Sequence, residues 1–364
     1  FKLISPIIIM CVSISGNMFT RQRFWEAFCR RSTICTVILC CIITTFLLFV
    51  ITVEQAIDGE FKYLNLPVTK EELEQLPPLY PVSTETFPSE GVVKMEKRIH
   101  QTWMGTKVSY KVSSWIKSWL VYHPDYEYYL WTDESARQLI QERYPKFLHT
   151  YDNYYANIQR ADSLRYIILY EFGGIYADLD MESLKSLEPV MRKYSCFLAQ
   201  EPYEHPMLQG NFKHLAINAF MACSKGHPFM KLAVDSLELY SHMWMVVDSG
   251  GPHFLTSMLK TYNRLYELDP TDEKGVYLAP PEYFTPVVDP HKYFLFYYYC
   301  FTFRRRTKMQ KEVCMNLKLY GVRKTPPAIS FATHHWTRTY DPLGKPTKSM
   351  VDIHDLVPNV IIYK

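Results

Sequence analysis

The chain has 364 residues, 48% of them hydrophobic and 21% charged, with a formal net charge of +3. That length and apolar content support a sizeable core and exclude a disordered protein. A near-neutral balance, with no Lys/Arg run interleaved with aromatics, argues against a nucleic-acid binder. Aromatics reach 15%, with 28 Tyr and 21 Phe, a load that fits a bulky core and also sugar or lipid contacts.

In chain order, an apolar run at 3–19, interrupted by Pro6, Gly16 and Asn17, receives no assignment. The next run, Ile34 to Val53, carries no charge and no proline over a length that spans a bilayer core. Arg21, Arg23, Arg30 and Arg31 precede it while Glu54 and Asp58 follow, so the positive-inside rule puts residues 1–33 in the cytosol and the remainder across the membrane. This predicts a type II signal anchor over 34–53; a cleaved signal peptide is the competing reading, without a clean small-residue cleavage site to support it.

Residues 54–95, which include LPPLYPVSTETFPSEG, are polar and proline-bearing without a sustained period, and read as a stem. From there short apolar runs alternate with helical ones: KRIHQTW as a strand end, SSWIKSWLVYH as a helix, YEYYLWTD as a strand and ESARQLIQERYPKFLHTY as a helix. That alternation predicts an α/β domain over 96–345 with a largely parallel sheet, followed by a tail at 346–364.

The segment NIQRADSLRYIILYEF places Ile158, Ala161, Leu164, Ile168 and Phe172 on one helical face, and Gly173 and Gly174 stop it. In the following IYADLD, Ile175, Ala177 and Leu179 fall on one side of an expected strand, with Tyr176, Asp178 and Asp180 on the other. Two residues along a strand is roughly 6.6 Å, a separation at which two carboxylates can share one small divalent ion. All-oxygen ligation suits Mg²⁺ or Mn²⁺ and not zinc, and Mg²⁺ is commonly completed by phosphate oxygens and water. A DxD by itself is equally a solvated strand end.

Four cysteines lie beyond the apolar run: Cys196, Cys223, Cys300 and Cys314. In an oxidising compartment they allow three pairings, among which the sequence does not choose. No CxxC or Cys/His zinc spacing is present.

The ordered set ADSLRYIILYEFGGIYADLD, with IHQTW at 99–103, INAFMACSKGHP around Asn218, GGPHFLT at 250–256 and HHW at 334–336, resembles glycosyltransferase family 32 over about residues 97–340. The resemblance implies a GT-A-type, Rossmann-like nucleotide-sugar-binding domain that uses a divalent metal and retains anomeric configuration. Within the family it looks most like the catalytic subunits that mannosylate inositol phosphoceramide. It is less like animal α-1,4-galactosyl- and N-acetylglucosaminyltransferases that use UDP-sugars.

By this resemblance Asp178 and Asp180 would hold Mn²⁺ or Mg²⁺ against the donor diphosphate, with a late histidine, His334 or His335, completing the metal shell. Asp162 and Arg165 would lie beside the donor, although three apart on a helix they are by default a surface ion pair. His100, Gln101, Thr102 and Trp103 would approach the nucleotide; core packing is the alternative for Trp103. Gly174 and Tyr176 would join the donor-binding set, Asn218, Asp248, Gly251 and Pro252 would shape the sugar and acceptor pocket, and Asp248 would orient a sugar hydroxyl or support transfer, though an Asp before Gly-Gly is also an ordinary turn residue. The implied partners are a nucleotide sugar, GDP-mannose or a UDP-sugar, a lipid or glycan acceptor, and the Golgi membrane, with the domain lumenal; a regulatory subunit stays open. The run HKYFLFYYYCFTFRRR at 291–306 departs from the family pattern. Aromatics followed by arginines suit a membrane interface, and a buried strand is the other reading. A reading of another class is a membrane-anchored sugar-nucleotide-binding protein without turnover.

Overall fold

The computed structural model describes residues 40–46, 48, 85–210, 212–301, 306–337 and 349–364. Contacts divide the chain into Phe1–Glu60 and Phe61–Lys364. In the first unit the described residues 40–46 and 48 are helical, and most of the expected span at 34–53 lies outside the described residues. Among the described residues no helix is long and apolar enough to cross a membrane. Most of the expected stem, 54–84, also lies outside them.

The second unit is built on a six-stranded sheet. Its strands are β1 (Arg98–Thr102), β3 (Glu127–Trp131), β4 (Gly174–Ala177), β6 (Cys196–Gln200), β7 (Ala216–Cys223) and β8 (Tyr277–Leu278), after β2 (Lys107–Ser109) and β5 (Met181–Ser183), which pair elsewhere. The order is β3-β1-β4-β7-β6-β8. β1 runs parallel to β3 and β4 and β6 parallel to β8, but β7 runs antiparallel to both β4 and β6. The sheet is therefore mixed, not largely parallel: β7 is a long buried strand inserted between β4 and β6.

Alternation along the strands feeds two cores. Ile175, Ala177, Phe197, Ala199 and Ala222 face a cluster with Ile116 and Trp119 of helix α1 (Ser113–Tyr122). Tyr176, Cys196, Leu198 and Met221 face a second cluster with helices α2 (Asp133–Arg143), α3 (Asn157–Phe172), α4 (Pro228–Tyr240) and α5 (Pro252–Tyr266). Both faces are thus covered, as a sheet with crossover helices requires. α3 is buried around its whole circumference from Asp162 to Leu169, which a one-faced amphipathic reading does not anticipate. Gly173 ends it at φ +65°, its N–H on the Leu169 carbonyl. Gly174, at φ +98°, approaches β1 so closely that a Cβ would sit 2.6 Å from the Arg98 carbonyl oxygen.

Two boundaries differ from expectation. Residues 346–364 are not an appendage. β10 (Met350–Asp352) pairs antiparallel with β2, and Ile361 exchanges backbone hydrogen bonds with Tyr128 and Leu130. At the other end, Phe87, expected in the stem, packs edge-on to Tyr283 and Phe331 at 5.4 Å. The four outer cysteines form Cys196–Cys223 and Cys300–Cys314.

His100, His123, His205 and His227 are buried, and burial lowers each pKa to about 4. The unfolded chain takes up these protons near 6.5. Between those values the unfolded state holds more protons, so stability rises with pH, and what the four contribute at neutrality is lost as pH falls from about 6.5 to 4. Thermal melts across that range should show a steep fall in Tm with net proton uptake on unfolding; a flat Tm would contradict the burial of these rings.

Candidate active site

β4 stops at Ala177, earlier than the alternating pattern suggests. Asp178 donates its N–H to the Ala219 carbonyl, and Met181 N–H returns to the Asp178 carbonyl, so Asp178 and Asp180 sit in a turn and not on one strand face. Tyr176, expected on the open side, is fully buried. The carboxylates converge nonetheless, because a third element closes on them. β5 pairs antiparallel with β9 (Ala332–His334) in a register that sets Met181 opposite His334, and His335 N–H donates to the Asp180 carbonyl. Ligand atoms of Asp178, Asp180 and His334 lie within 4.8 Å of one another.

Alternation separates the two histidines. His334 directs Nε2 to Asp180 Oδ1 at 3.1 Å. His335 turns the other way, with Nε2 2.8 Å from Glu182 Oε2 and its ring stacked on Trp115 at 4.0 Å. Of the pair the sequence left open, the structure brings only His334 to the acids. A His334→Ala variant should therefore lose divalent-cation affinity by about 10-fold or more while His335→Ala stays near wild type, read by calorimetric titration with Mn²⁺ and nucleoside diphosphate.

Each acid has a distinct environment. Asp180 is buried, and burial alone would raise its pKa. His334 and the Thr337 N–H (2.8 Å) and hydroxyl (2.9 Å) outweigh that and hold the carboxyl well below the usual range. His334 is shifted upward, because Asp180 more than offsets its own burial. Asp178 is raised by burial, against the pull of Arg165. Its Oδ1 accepts from Tyr176 at 2.8 Å and lies 3.2 Å from the Arg165 guanidinium, while its backbone carbonyl accepts from Gln101 Nε2.

Arg165 is not part of a surface ion pair. It is 5% exposed, with one terminal nitrogen between Asp178 and Asp162 (3.3 Å), the other donating to the Asn218 carbonyl, and the guanidinium over the Tyr176 ring at 5.2 Å. Asp162 accepts from Asn218 Nδ2 at 2.9 Å, and burial pushes its pKa up to about 6. The same Asn218 amide and the Tyr166 hydroxyl hold the Gly250 carbonyl, which docks the 248–252 segment beside α3. Gly251 lies within 2.7 Å, measured from a would-be Cβ, of the Val247 Cα, and Pro252 opens α5.

Other expected residues stand apart from the acids. His100 is wholly buried, its Nδ1 accepting from Trp131 Nε1 and its Nε2 on the Gly173 carbonyl, so it packs the core behind β1. Thr102 meets the Tyr176 hydroxyl at 2.9 Å, one contact removed from Asp178. Trp103 donates to the Lys107 carbonyl and packs on the first core cluster. Asp248 turns its carboxylate to His253 Nδ1 at 2.7 Å. Gln101 is also held by the Tyr128 hydroxyl.

Sequence reasoning missed three contributors. Thr337 caps Asp180. Trp336 stacks against His334 at 4.1 Å with φ +52°, its Nε1 on the Val287 carbonyl. Glu201, His205 and the half-buried Lys292 form a polar group behind it: His205 Nδ1 is 2.6 Å from Glu201, Lys292 Nζ is 3.6 Å from the same carboxylate, and the His205 ring lies 4.9 Å from Trp336. Only the HHW spelling flagged this neighbourhood, and it gave no sign of what lay behind it.

Residues 109–197 match the family described as glycosyltransferase sugar-binding region containing DXD motif. Inositol phosphoceramide mannosyltransferase 3 of Schizosaccharomyces pombe is 38% identical over 174 residues, 46% of this chain and 46% of that one. Mannosyl phosphorylinositol ceramide synthase SUR1 of Saccharomyces cerevisiae is 36% identical over 174 residues, 46% of this chain and 42% of that one. Lactosylceramide 4-alpha-galactosyltransferase of Rattus norvegicus is 27% identical over 128 residues, 35% and 31% of the two chains. The chain spans about half the length of the curated relatives it matches.

Proposed function

We propose that this protein is a metal-dependent, retaining glycosyltransferase of GT-A type. It moves mannose from GDP-mannose to a lipid acceptor of the inositol phosphoceramide class, as a type II protein of the Golgi membrane. The observation that carries this reading is the convergence of Asp178, Asp180 and His334 just beyond the C-terminal end of β4, where open α/β sheets bind their ligands. The likeness to inositol phosphoceramide mannosyltransferases supports the sugar and the acceptor.

The residues present fit a divalent ion. Two carboxylates and one imidazole converge within 4.8 Å of one another, an oxygen-and-nitrogen donor set that such an ion accepts. Asp178, Asp180 and His334 would hold the ion, which when bound would offset the charge building on the departing diphosphate. The remaining roles belong to the chain itself. Thr337 fixes the Asp180 carboxylate and keeps it ionised, Arg165 and Tyr176 orient Asp178, and Asn218 ties the 248–252 loop to α3. Sugar transfer through an oxocarbenium-like centre gains most from relief of leaving-group charge, and these contacts preorganise the carboxylates that would hold the ion.

The test is a donor screen: full-length protein in detergent with Mn²⁺, each common nucleotide sugar and inositol phosphoceramide, with release of nucleoside diphosphate and mannosylated lipid measured. Turnover confined to GDP-mannose supports the reading. Turnover confined to UDP-galactose replaces it with a galactosyltransferase, the reading favoured by the rat relative. No turnover with any donor, alongside retained nucleotide binding, replaces it with a sugar-nucleotide-binding protein.

A further inference from the structure

Of the run at 291–306, the described residues 291–301 and 306 form no strand and are not buried throughout. Tyr293–Phe301 forms helix α6, and Lys308–Tyr320 forms helix α7, with the disulfide Cys300–Cys314 joining them. On α6 one side chain, Phe296, points wholly inward. Phe294, Tyr297, Tyr298 and Phe301 are 84%, 40%, 55% and 71% exposed. Their spacing of i, i+3, i+4 and i+7 makes one continuous outward face composed only of aromatic rings. Aromatics stay exposed in a contiguous stripe where something else covers them.

α7 supplies the matching charge. Lys308, Lys311 and Lys318 are exposed on it, as are Met315 and Leu319, and Glu312 is the one acid of the helix. A face of rings beside a face of lysines is the chemistry of an anionic bilayer surface: rings settle at the level of the headgroups, and lysines lay their stems along apolar surface with the charge on phosphate. Aromatics alone would suit a protein partner as well, but protein interfaces are depleted of lysine, so the lysines of α7 favour an anionic lipid surface.

The hairpin is also coupled to the acid cluster. Phe296 packs on His205 at 5.5 Å, His205 on Trp336 at 4.9 Å and Trp336 on His334 at 4.1 Å. The inner face of α6 therefore leads by successive ring contacts to Asp180, while its outer face looks to solvent.

We infer that the disulfide-linked hairpin α6–α7 is a membrane-docking surface, which seats the aromatic face of α6 in a leaflet carrying an anionic phosphoinositol lipid, with the lysines of α7 on its headgroups; the source of that anionic charge rests on the lipid acceptor proposed above. The inference stands on exposure, charge and ring contacts and does not depend on which sugar is transferred.

The test uses full-length protein in vesicles of phosphatidylcholine and inositol phosphoceramide whose phosphatidylcholine carries bromine on its acyl chains. Phe294→Trp and Phe301→Trp add indoles on the face, and Leu265→Trp on α5, 63% exposed, is the control. The emission added at positions 294 and 301 should fall about twofold in brominated vesicles while that at 265 is unchanged, since quenching requires contact with the acyl region. Melting temperatures matching wild type confirm that the variants are folded. Quenching at 294 and 301 no greater than at 265 overturns the inference. So does equal quenching in vesicles of phosphatidylcholine alone, which removes the anionic surface, and so does shielding of these indoles by self-association in the absence of lipid.

Discussion

Asp180→Asn should lower sugar transfer by about 10²–10³-fold, the scale on which loss of one preorganised electrostatic group is felt in a transition state. The amide keeps the shape and still accepts from Thr337, so the protein stays folded while the negative charge disappears. Asp178→Asn should fall in the same range. The check is kcat/KM with GDP-mannose, beside calorimetric titration of Mn²⁺ in the presence of GDP. Full-speed transfer by the double amide variant, or no manganese uptake by the wild type with nucleotide bound, would end the metal-assisted reading. Asp180 is the better probe: Thr337 and His334 hold it ionised at neutral pH, whereas burial works against the charge on Asp178.

Arg165→Leu should be the most destabilising single change near the site. The guanidinium is the one cation in contact with both Asp162 and Asp178 among the described residues. Removing it leaves carboxylates buried without a counter-charge, at a cost of about 3–5 kcal/mol, or a Tm lower by roughly 10 °C for a domain of this size. Arg165→Lys should recover only part, because a single ammonium cannot bridge two carboxylates and a carbonyl at once. Arg165→Leu with Asp162→Asn should melt higher than Arg165→Leu alone, since it removes one of the two stranded charges. Thermal melts of the four proteins decide it, and a melt of Arg165→Leu within a degree or two of wild type would show that the guanidinium is not the counter-ion of these acids.

Much of the architecture could be read from local patterns. The alternation around β1, α1, β3 and α2, the length of α3 and its stop at Gly173–Gly174 are short-range features, and they emerge where expected. What failed was long-range. Nothing in INAFMAC says that β7 runs antiparallel between β4 and β6, because a strand buried on both faces looks the same in either direction. IYADLD satisfies a strand pattern, yet Asp178 bonds across to Ala219 and turns away, a competition between ladder and turn that only the partner strand settles. The C-terminal residues carry little periodicity, and their place beside β2 and β3 becomes visible only once those edges exist. Of the site, Asp178, Asp180, Asp162, Arg165 and Asn218 do come together, whereas His100 is absorbed into the core. The choice between His334 and His335 needed the register of β5 against β9.

Trp336 carries a consequence for how the pocket tolerates change. A bulky residue in the left-handed region costs about 1–3 kcal/mol and persists only where its surroundings over-determine it. Here the indole is gripped by the Val287 carbonyl, His334 and His205. That makes the stretch from His334 to Thr337 a sprung joint: loosen the grip at Val287 or His205 and the backbone can relax toward an extended path, swinging the Thr337 clasp off Asp180. Substitutions two shells away, touching neither acid, would then misalign the pocket as surely as a change within it.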